Sequence, residues 1–332
     1  MPRIRTAPLE RTPLLDNTAA TAGIAPDRTP LGRIKAYVAL TKPRIIEQLL
    51  ITTIPTMFVA RHGMPGVWLM VATLVGGTLA AGGANAINMV VDRDIDTIME
   101  RTKGRPLVTG AMTPRAALIF AITIEIAAFA WLWGFVNLLS AVLAVSACLF
   151  YVFIYTLWLK RTSKQNIVIG GAAGAVPVLV GWSAVLNRLD WAPVLLFAVI
   201  FVWTPPHFWA LAVKYRDDYA AADVPMLPVV ASFRNMANQI IVYSVVMVGL
   251  TIWFGPVADM GRFYMASAVL LGAMFLFYAA KLYQSGINTV EPGAMAGAAT
   301  VKPAMRLFAY SIAYLTLLFA AMAIDQLLVH GF

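Results

Sequence analysis

The residues best suited to chemistry lie in one stretch, NAINMVVDRDIDTIMERTKGRPL, from Asn85 to Leu107. Asn88, Asp92 and Asp96 stand four apart, so on a helix each is turned by only about 40° from the last and all three share a face. Three oxygen-bearing side chains at the end of an apolar segment are costly unless a cation sits among them. A hard ion that keeps several of its waters, Mg²⁺, is typically held by one or two carboxylates together with the oxygens of a substrate phosphate. Arg101, Lys103 and Arg105 follow directly and supply charge of the kind that grips a diphosphate, an arginine taking two oxygens at once. A loop that only orients a membrane chain needs Lys and Arg but no acids. This one also carries Asp94 and Glu100.

The elements that must hold these groups are membrane spans. The chain has 332 residues, 60% of them hydrophobic and 12% charged, with a mean hydropathy of +0.76, which excludes an ordinary soluble domain. Its net charge of +9 reads as topology in the lipid bilayer and not as a nucleic-acid surface. A single cysteine, Cys148, excludes an intramolecular disulfide and a cysteine-cluster metal site. The segments long enough to cross lie at roughly 43–60, 67–91, 116–136, 138–158, 166–187, 191–213, 236–255, 263–284 and 304–328, which predicts an all-α polytopic fold of nine transmembrane helices. Of the 25 Lys and Arg, only Arg61, Arg188 and Arg262 fall on one side of these spans. The N-terminus and the long loops are therefore expected in the cytoplasm and the C-terminus outside. Residues 1–30, rich in Pro, Thr and Ala, read as a disordered cytoplasmic tail, and 31–332 as the membrane domain. Leu31 to Thr41 is amphipathic and reads as an interfacial helix.

A second acidic cluster follows the sixth span, in HFWALAVKYRDDYAAADVPMLPVV from His207 to Val230. Lys214, Asp217, Asp218 and Tyr219 fall where that span leaves the membrane, Asp223 follows, and Pro225 and Pro228 rule out a continuous helix. Two acidic loops on one side make sense as facing walls of one pocket, with a metal and a diphosphate between them. The two loops are four spans apart, which suggests two four-helix halves plus a ninth helix. His207 lies deep in a span, where Pro205 and Pro206 are expected to interrupt the helix and make the position line a pocket. Glu125, in the middle of the third span, has no place in this constellation, and Glu47 suits an interfacial position as well as the pocket. The aromatics Trp203, Phe208, Trp209, Tyr151, Phe153, Tyr155 and Trp158 suit helix packing or the shielding of a carbocation.

These residues resemble the UbiA superfamily of intramembrane prenyltransferases, and most specifically its haem O synthase branch. Asn88-x-x-x-Asp92-x-x-x-Asp96 is similar to the superfamily's first Asp-rich motif, and MERTKGRPLV at Met99–Val108 to the continuation in that branch. TKPRII at Thr41–Ile46, YTLWLKRTSKQNIVIGG at Tyr155–Gly171, TPPHFWALA at Thr204–Ala212 and DYAAADVPMLPV at Asp218–Val229 match in the same order. Asp218 and Asp223 are five apart where many members have acids four apart.

The resemblance implies helices around a central cavity opening to the cytoplasmic side of the bacterial cytoplasmic (inner) membrane. It implies Mg²⁺-dependent transfer of a farnesyl group from farnesyl diphosphate to the vinyl group of haem B, giving haem O. A haem A synthase or a terminal oxidase is the implied assembly partner. In that frame Asn88, Asp92 and Asp96 hold Mg²⁺, with Asp218 as a fourth oxygen source. Arg101, Lys103, Arg105, Lys160, Arg161 and Lys214 grip the diphosphate or the haem propionates, with Asp217 and Tyr155 beside the substrates. His207 binds haem or acts as a base. Two alternatives stay open, another UbiA-type aromatic or tetrapyrrole prenyltransferase and a secondary transporter. MERTKGRPL and TPPHFWALA argue against the first, and the confinement of charge to one interface argues against the second.

Overall fold

A computed structural model describes residues 29–286 and 298–331, and the expected tail at 1–30 lies almost wholly outside them. The described residues are helical, without strands. An amphipathic α1 (Pro30–Thr41) leads into α2 (Pro43–Arg61) and α3 (Val67–Val91). The short α4 (Arg93–Ile98) and a 3₁₀ turn (Glu100–Thr102) carry the first acidic loop to α5 (Pro114–Phe135). Next comes one rod made of α6 (Leu138–Leu149), a π-helical stretch (Phe150–Leu159) and α7 (Lys160–Thr162). α8 (Asn166–Leu186) and α9 (Trp191–Lys214) follow, then the second acidic loop with α10 (Arg216–Ala221) and α11 (Leu227–Val230). The chain finishes with α12 (Phe233–Val257), α13 (Arg262–Ser285) and α14 (Ala298–His330).

Among the described residues eight helices are long and apolar enough to cross a membrane. The remaining long helix, α2, has 19 residues and is less apolar because it includes Glu47, Thr52, Thr53 and Thr56. It packs against α3, α8 and α14, inside the same bundle. The nine expected segments thus correspond to nine long rods among the described residues, and the last begins earlier than expected, at Ala298.

Exposed apolar side chains mark the lipid-facing surface. Leu31, Ile34 and Val38 line the open side of α1, while Gly32, Ala36 and Leu40 on its other side are buried against α3. Ile119, Ile122 and Ile126 do the same on α5, and Val242, Val245 and Val246 on α12. Stripes of this size would drive association in water and are at home in hydrocarbon.

α9 departs from the sequence expectation at Pro205 and Pro206, where the helix runs on unbroken from Trp191 to Lys214. Each proline removes one i→i−4 bond. Both are buried, between Trp203 and Trp209 of the largest packed cluster, which joins α2, α8, α9, α12, α13 and α14, and tertiary packing holds the helical course.

Candidate active site

Small residues on α3 let the site assemble. A Cβ on Gly76 would overlap Leu132 of α5 at 2.4 Å, and one on Gly82 would lie 3.2 Å from Thr41. Asn85 then donates its amide to the Thr41 carbonyl at 3.1 Å and fixes the joint between α1 and α2. At that joint Lys42 adopts a left-handed backbone, φ 52°, directly before Pro43. A residue preceding proline is disfavoured in the right-handed helical region, and a bulky residue at positive φ is uncommon and costs energy. The resulting turn places the Lys42 ammonium 2.7 Å from Asn88 Oδ1. Burial, followed by the charges of Arg105 and Lys160, lowers the Lys42 pKa to about 7.

The three acid-ladder residues are 3%, 0% and 2% exposed at Asn88, Asp92 and Asp96. α3 ends at Asp92, yet the backbone bonds Asp92 N–H to Asn88 O and Asp96 N–H to Asp92 O, both 2.9 Å, carry the four-residue repeat across the junction. The Asn88 amide donates to Asp92 Oδ2 at 2.8 Å and to Thr156 Oγ1 at 3.1 Å. Lys160 ion-pairs with the same Asp92 oxygen. Arg105 reaches back to both Asp96 oxygens at 2.7 and 2.6 Å. Arg161 grips Asp94 through two bonds of 2.7 Å and stands 4.0 Å from Asp92 Oδ1. That pairing holds the Asp94 carboxyl at about 2.

The π-helical stretch brings the other wall. The Lys160 N–H donates to the Tyr155 carbonyl five residues back, the wider turn that defines this geometry, and the Thr156 hydroxyl donates to the Tyr151 carbonyl at 2.8 Å. Tyr151 and Tyr155 stack with ring centroids 5.4 Å apart. A Cβ on Gly170 would overlap the Tyr155 ring at 2.3 Å, so the glycine makes room for it. Of the other aromatics, Phe153 and Trp158 face outward, and Trp203 and Trp209 are buried.

The second acidic loop closes over the first. Asp218 Oδ2 accepts the Arg101 backbone N–H at 3.3 Å. Ile95 and Met99 pack with Ile167, Ala212, Tyr219, Val224 and Met226, an apolar plate that joins the two loops. Arg101 and Lys214 each lie 5.4 Å from the centre of the Tyr215 ring. Asp223 takes positive φ and is exposed in the turn after α10, a position aspartate tolerates.

Three candidates stand apart from the ladder. Lys103 pairs with Glu100 at an exposed site, and the Asp217 side chain, 90% exposed, pairs with Arg216. His207 sits between α9 and α14, stacked on Trp203 at 4.3 Å, with Nδ1 2.6 Å from Ser311 Oγ. Ser311 gives its one hydroxyl proton to Phe308 O at 2.6 Å, so its oxygen accepts from Nδ1–H. That tautomer leaves the Nε2 lone pair for other work. Glu125 lies over Gly83, where a Cβ would meet its Cγ at 2.6 Å, and Glu47 is exposed.

The ladder suits a hard divalent ion that shares its shell with a ligand. Asp92 Oδ1 is buried and has no hydrogen-bond partner. No group of three or more His, Cys, Asp or Glu side chains forms a ready cage among the described residues. An ion held here by two carboxylates and an amide oxygen needs further oxygens, which a diphosphate supplies.

Lys42 and Thr156 were not singled out from the sequence. TKPRII contains the lysine, and its position directly before a proline between two helical patterns was the available signal.

The profile of the UbiA prenyltransferase family matches residues 49–290, which include every residue of the ladder. The chain belongs to the UbiA prenyltransferase family. Two relatives, each called protoheme IX farnesyltransferase, illustrate its neighbourhood within the family. The protein from Clavibacter sepedonicus is 51% identical over 305 residues, covering 91% of this chain and 96% of the relative. That from Streptomyces coelicolor is 52% identical over 306 residues, covering 92% and 95%. Solved structures share the UbiA fold at much lower identity. One, of a digeranylgeranylglyceryl phosphate synthase, has a TM-score of 0.70 at 16% identity, covering 89% of this chain and 98% of that one. Another, a UbiA homologue from Archaeoglobus fulgidus bound to DMAPP and Mg²⁺, has a TM-score of 0.59 at 17% identity, covering 86% and 99%.

Proposed function

We propose that this UbiA-family protein transfers a farnesyl group from farnesyl diphosphate to a vinyl group of haem B, releasing diphosphate and giving haem O. The observation that carries the reading is the buried Asn88, Asp92 and Asp96 ladder, with one carboxylate oxygen that makes no hydrogen bond, ringed by Lys42, Lys160, Arg105 and Arg161. Identity of 51–52% over nearly the full length to proteins named for that reaction supports the choice of substrates.

Asp92, Asp96 and Asn88 would hold Mg²⁺, with Asp218 across from them. When bound, the ion neutralises charge on the departing diphosphate. The cations now paired with the acids, Lys160 on Asp92 and Arg105 on Asp96, turn to the phosphate oxygens as the ligand arrives, since charge-assisted bonds to phosphate are strong and geometrically specific. The allylic C–O bond breaks with its electron pair leaving on diphosphate, and the vinyl carbon bonds to the farnesyl cation. Water adds to the cation left on the tetrapyrrole side chain and loses a proton, which His207 Nε2 accepts. Tyr151 and Tyr155 present stacked π faces to the farnesyl cation. Preorganised charge and exclusion of bulk water supply the rate enhancement.

The charge asymmetry of the loops supports an inner-membrane placement with the acids at the cytoplasmic face and the C-terminus outside. A haem A synthase or a terminal oxidase would receive the product. Incubating purified protein with haem B, farnesyl diphosphate and Mg²⁺, followed by mass analysis of the pigment, tests the reading. A haem B mass raised by one farnesyl group and one hydroxyl group is expected. Unchanged haem B with an active preparation contradicts it.

A further inference from the structure

Two of the chain's three histidines meet at the end of the bundle opposite the acids. α2 starts beside Lys42 and ends at Arg61, capped by His62, its 19 residues spanning about 28 Å at 1.5 Å each. α14 ends at His330. The two exposed rings lie edge to face with centroids 5.3 Å apart and planes at 74°.

The backbone is shaped to bring them together. His62 closes α2 in a left-handed conformation, φ 52°, a place glycine usually takes even though Gly63 is the next residue. The His62 N–H returns to Val59 O and the Gly63 N–H to Phe58 O, both at 3.2 Å. α14 ends in the same manner, with Gly331 at φ 80° and its N–H on Leu327 O at 3.0 Å. The two chain reversals touch, since a Cβ on Gly63 would lie 3.7 Å from the Gly331 carbonyl oxygen.

Two helix C-termini converging on one spot concentrate partial negative charge there, which favours a cation. Imidazole nitrogens are good ligands for Zn²⁺, Cu²⁺ and Ni²⁺ but not for Mg²⁺, so this end selects a different ion from the carboxylate end. Two imidazoles on neighbouring corners of a tetrahedral ion, each at about 2.0 Å, place their ring centroids about 5 Å apart. The observed 5.3 Å falls there. Rings on opposite sides of one ion would stand more than about 6 Å apart at the same bond length. We propose that His62 and His330 form a surface site for a divalent transition metal of the Zn²⁺ or Cu²⁺ class, with water completing the shell.

The test is titration of the full-length protein, free of any histidine tag, with Cu²⁺ in detergent, read by electron paramagnetic resonance. His62→Asn keeps a residue that accepts the left-handed backbone, and His330→Gln keeps a polar helix end. One copper per chain with two nitrogen ligands, displaced by Zn²⁺, is expected. Either substitution should weaken binding at least about tenfold and leave a one-nitrogen signal, while Mg²⁺-dependent farnesyl transfer stays at the parent rate. No saturable copper at one equivalent, or parent-like binding by either variant, overturns the proposal and leaves the rings as a packing pair.

Discussion

Lys160 closes on Asp92 from the far end of the π-helical stretch and ion-pairs with Oδ2, while Oδ1 of the same buried carboxylate has no hydrogen-bond partner. One oxygen is held by Lys160 and the other, with only Arg161 at 4.0 Å, makes no hydrogen bond and has room for an incoming cation. A buried carboxylate half-served in this way is costly to keep for structure alone. The central expectations follow from that asymmetry.

Asp92→Asn preserves shape and removes the charge. Farnesyl transfer should fall by about 10²-fold or more, the usual cost of one direct charge stabiliser. The rate of haem O formation measures it, with yield of folded protein as the control. Near-parent turnover would remove Asp92 from metal binding.

Lys42 stands with Lys160 and Arg105 around the ladder, 2.7 Å from Asn88 Oδ1, and its positive charge there favours a bound diphosphate, so removing it should raise the KM for farnesyl diphosphate more than it lowers kcat. Lys42→Gly is the cleanest variant because glycine accepts the left-handed backbone found there. Steady-state kinetics with farnesyl diphosphate varied at saturating haem B distinguish the two parameters. An unchanged KM would place the lysine in folding only.

Ser311 fixes the His207 tautomer through two bonds of 2.6 Å. Ser311→Ala should cut kcat about tenfold, as loss of an orienting partner commonly does, with Ser311→Thr restoring it. Full activity of His207→Ala would dispose of the base and of any haem-binding role together.

Much of the fold was legible because membrane spans announce themselves by length and apolarity. Val67–Val91 and Trp191–Lys214 lie where the hydropathy pattern put them, to within a residue. The ladder was legible for a related reason, since a four-residue repeat of oxygen-bearing side chains survives a local break at Asp92. The π-helical course of Phe150–Leu159 was hidden, because an apolar run carries no mark that separates one helical pitch from another. Lys42 was hidden too, since its role depends on a backbone dihedral and a contact with a residue two helices away. The unbroken α9 shows the opposite error, in which a local rule about proline yielded to burial on every side.

Close helix approach should also be testable apart from chemistry. A Cβ on Gly181 would lie 2.6 Å from the Thr53 carbonyl oxygen, a backbone atom that cannot rotate away. Gly181→Ala should force α2 and α8 apart and cost about 1–3 kcal/mol. A lower thermal unfolding temperature in detergent is the expected reading.

The central claim is that the buried ladder works as the seat of a divalent ion and a diphosphate. Its most direct measurement is the mass of the tetrapyrrole recovered after incubating protein, haem B and farnesyl diphosphate with Mg²⁺ or with a chelator, for the parent and for an Asp92→Asn, Asp96→Asn double variant. The account predicts haem O only from the parent and only with Mg²⁺. Haem O from the double variant at the parent rate would contradict it.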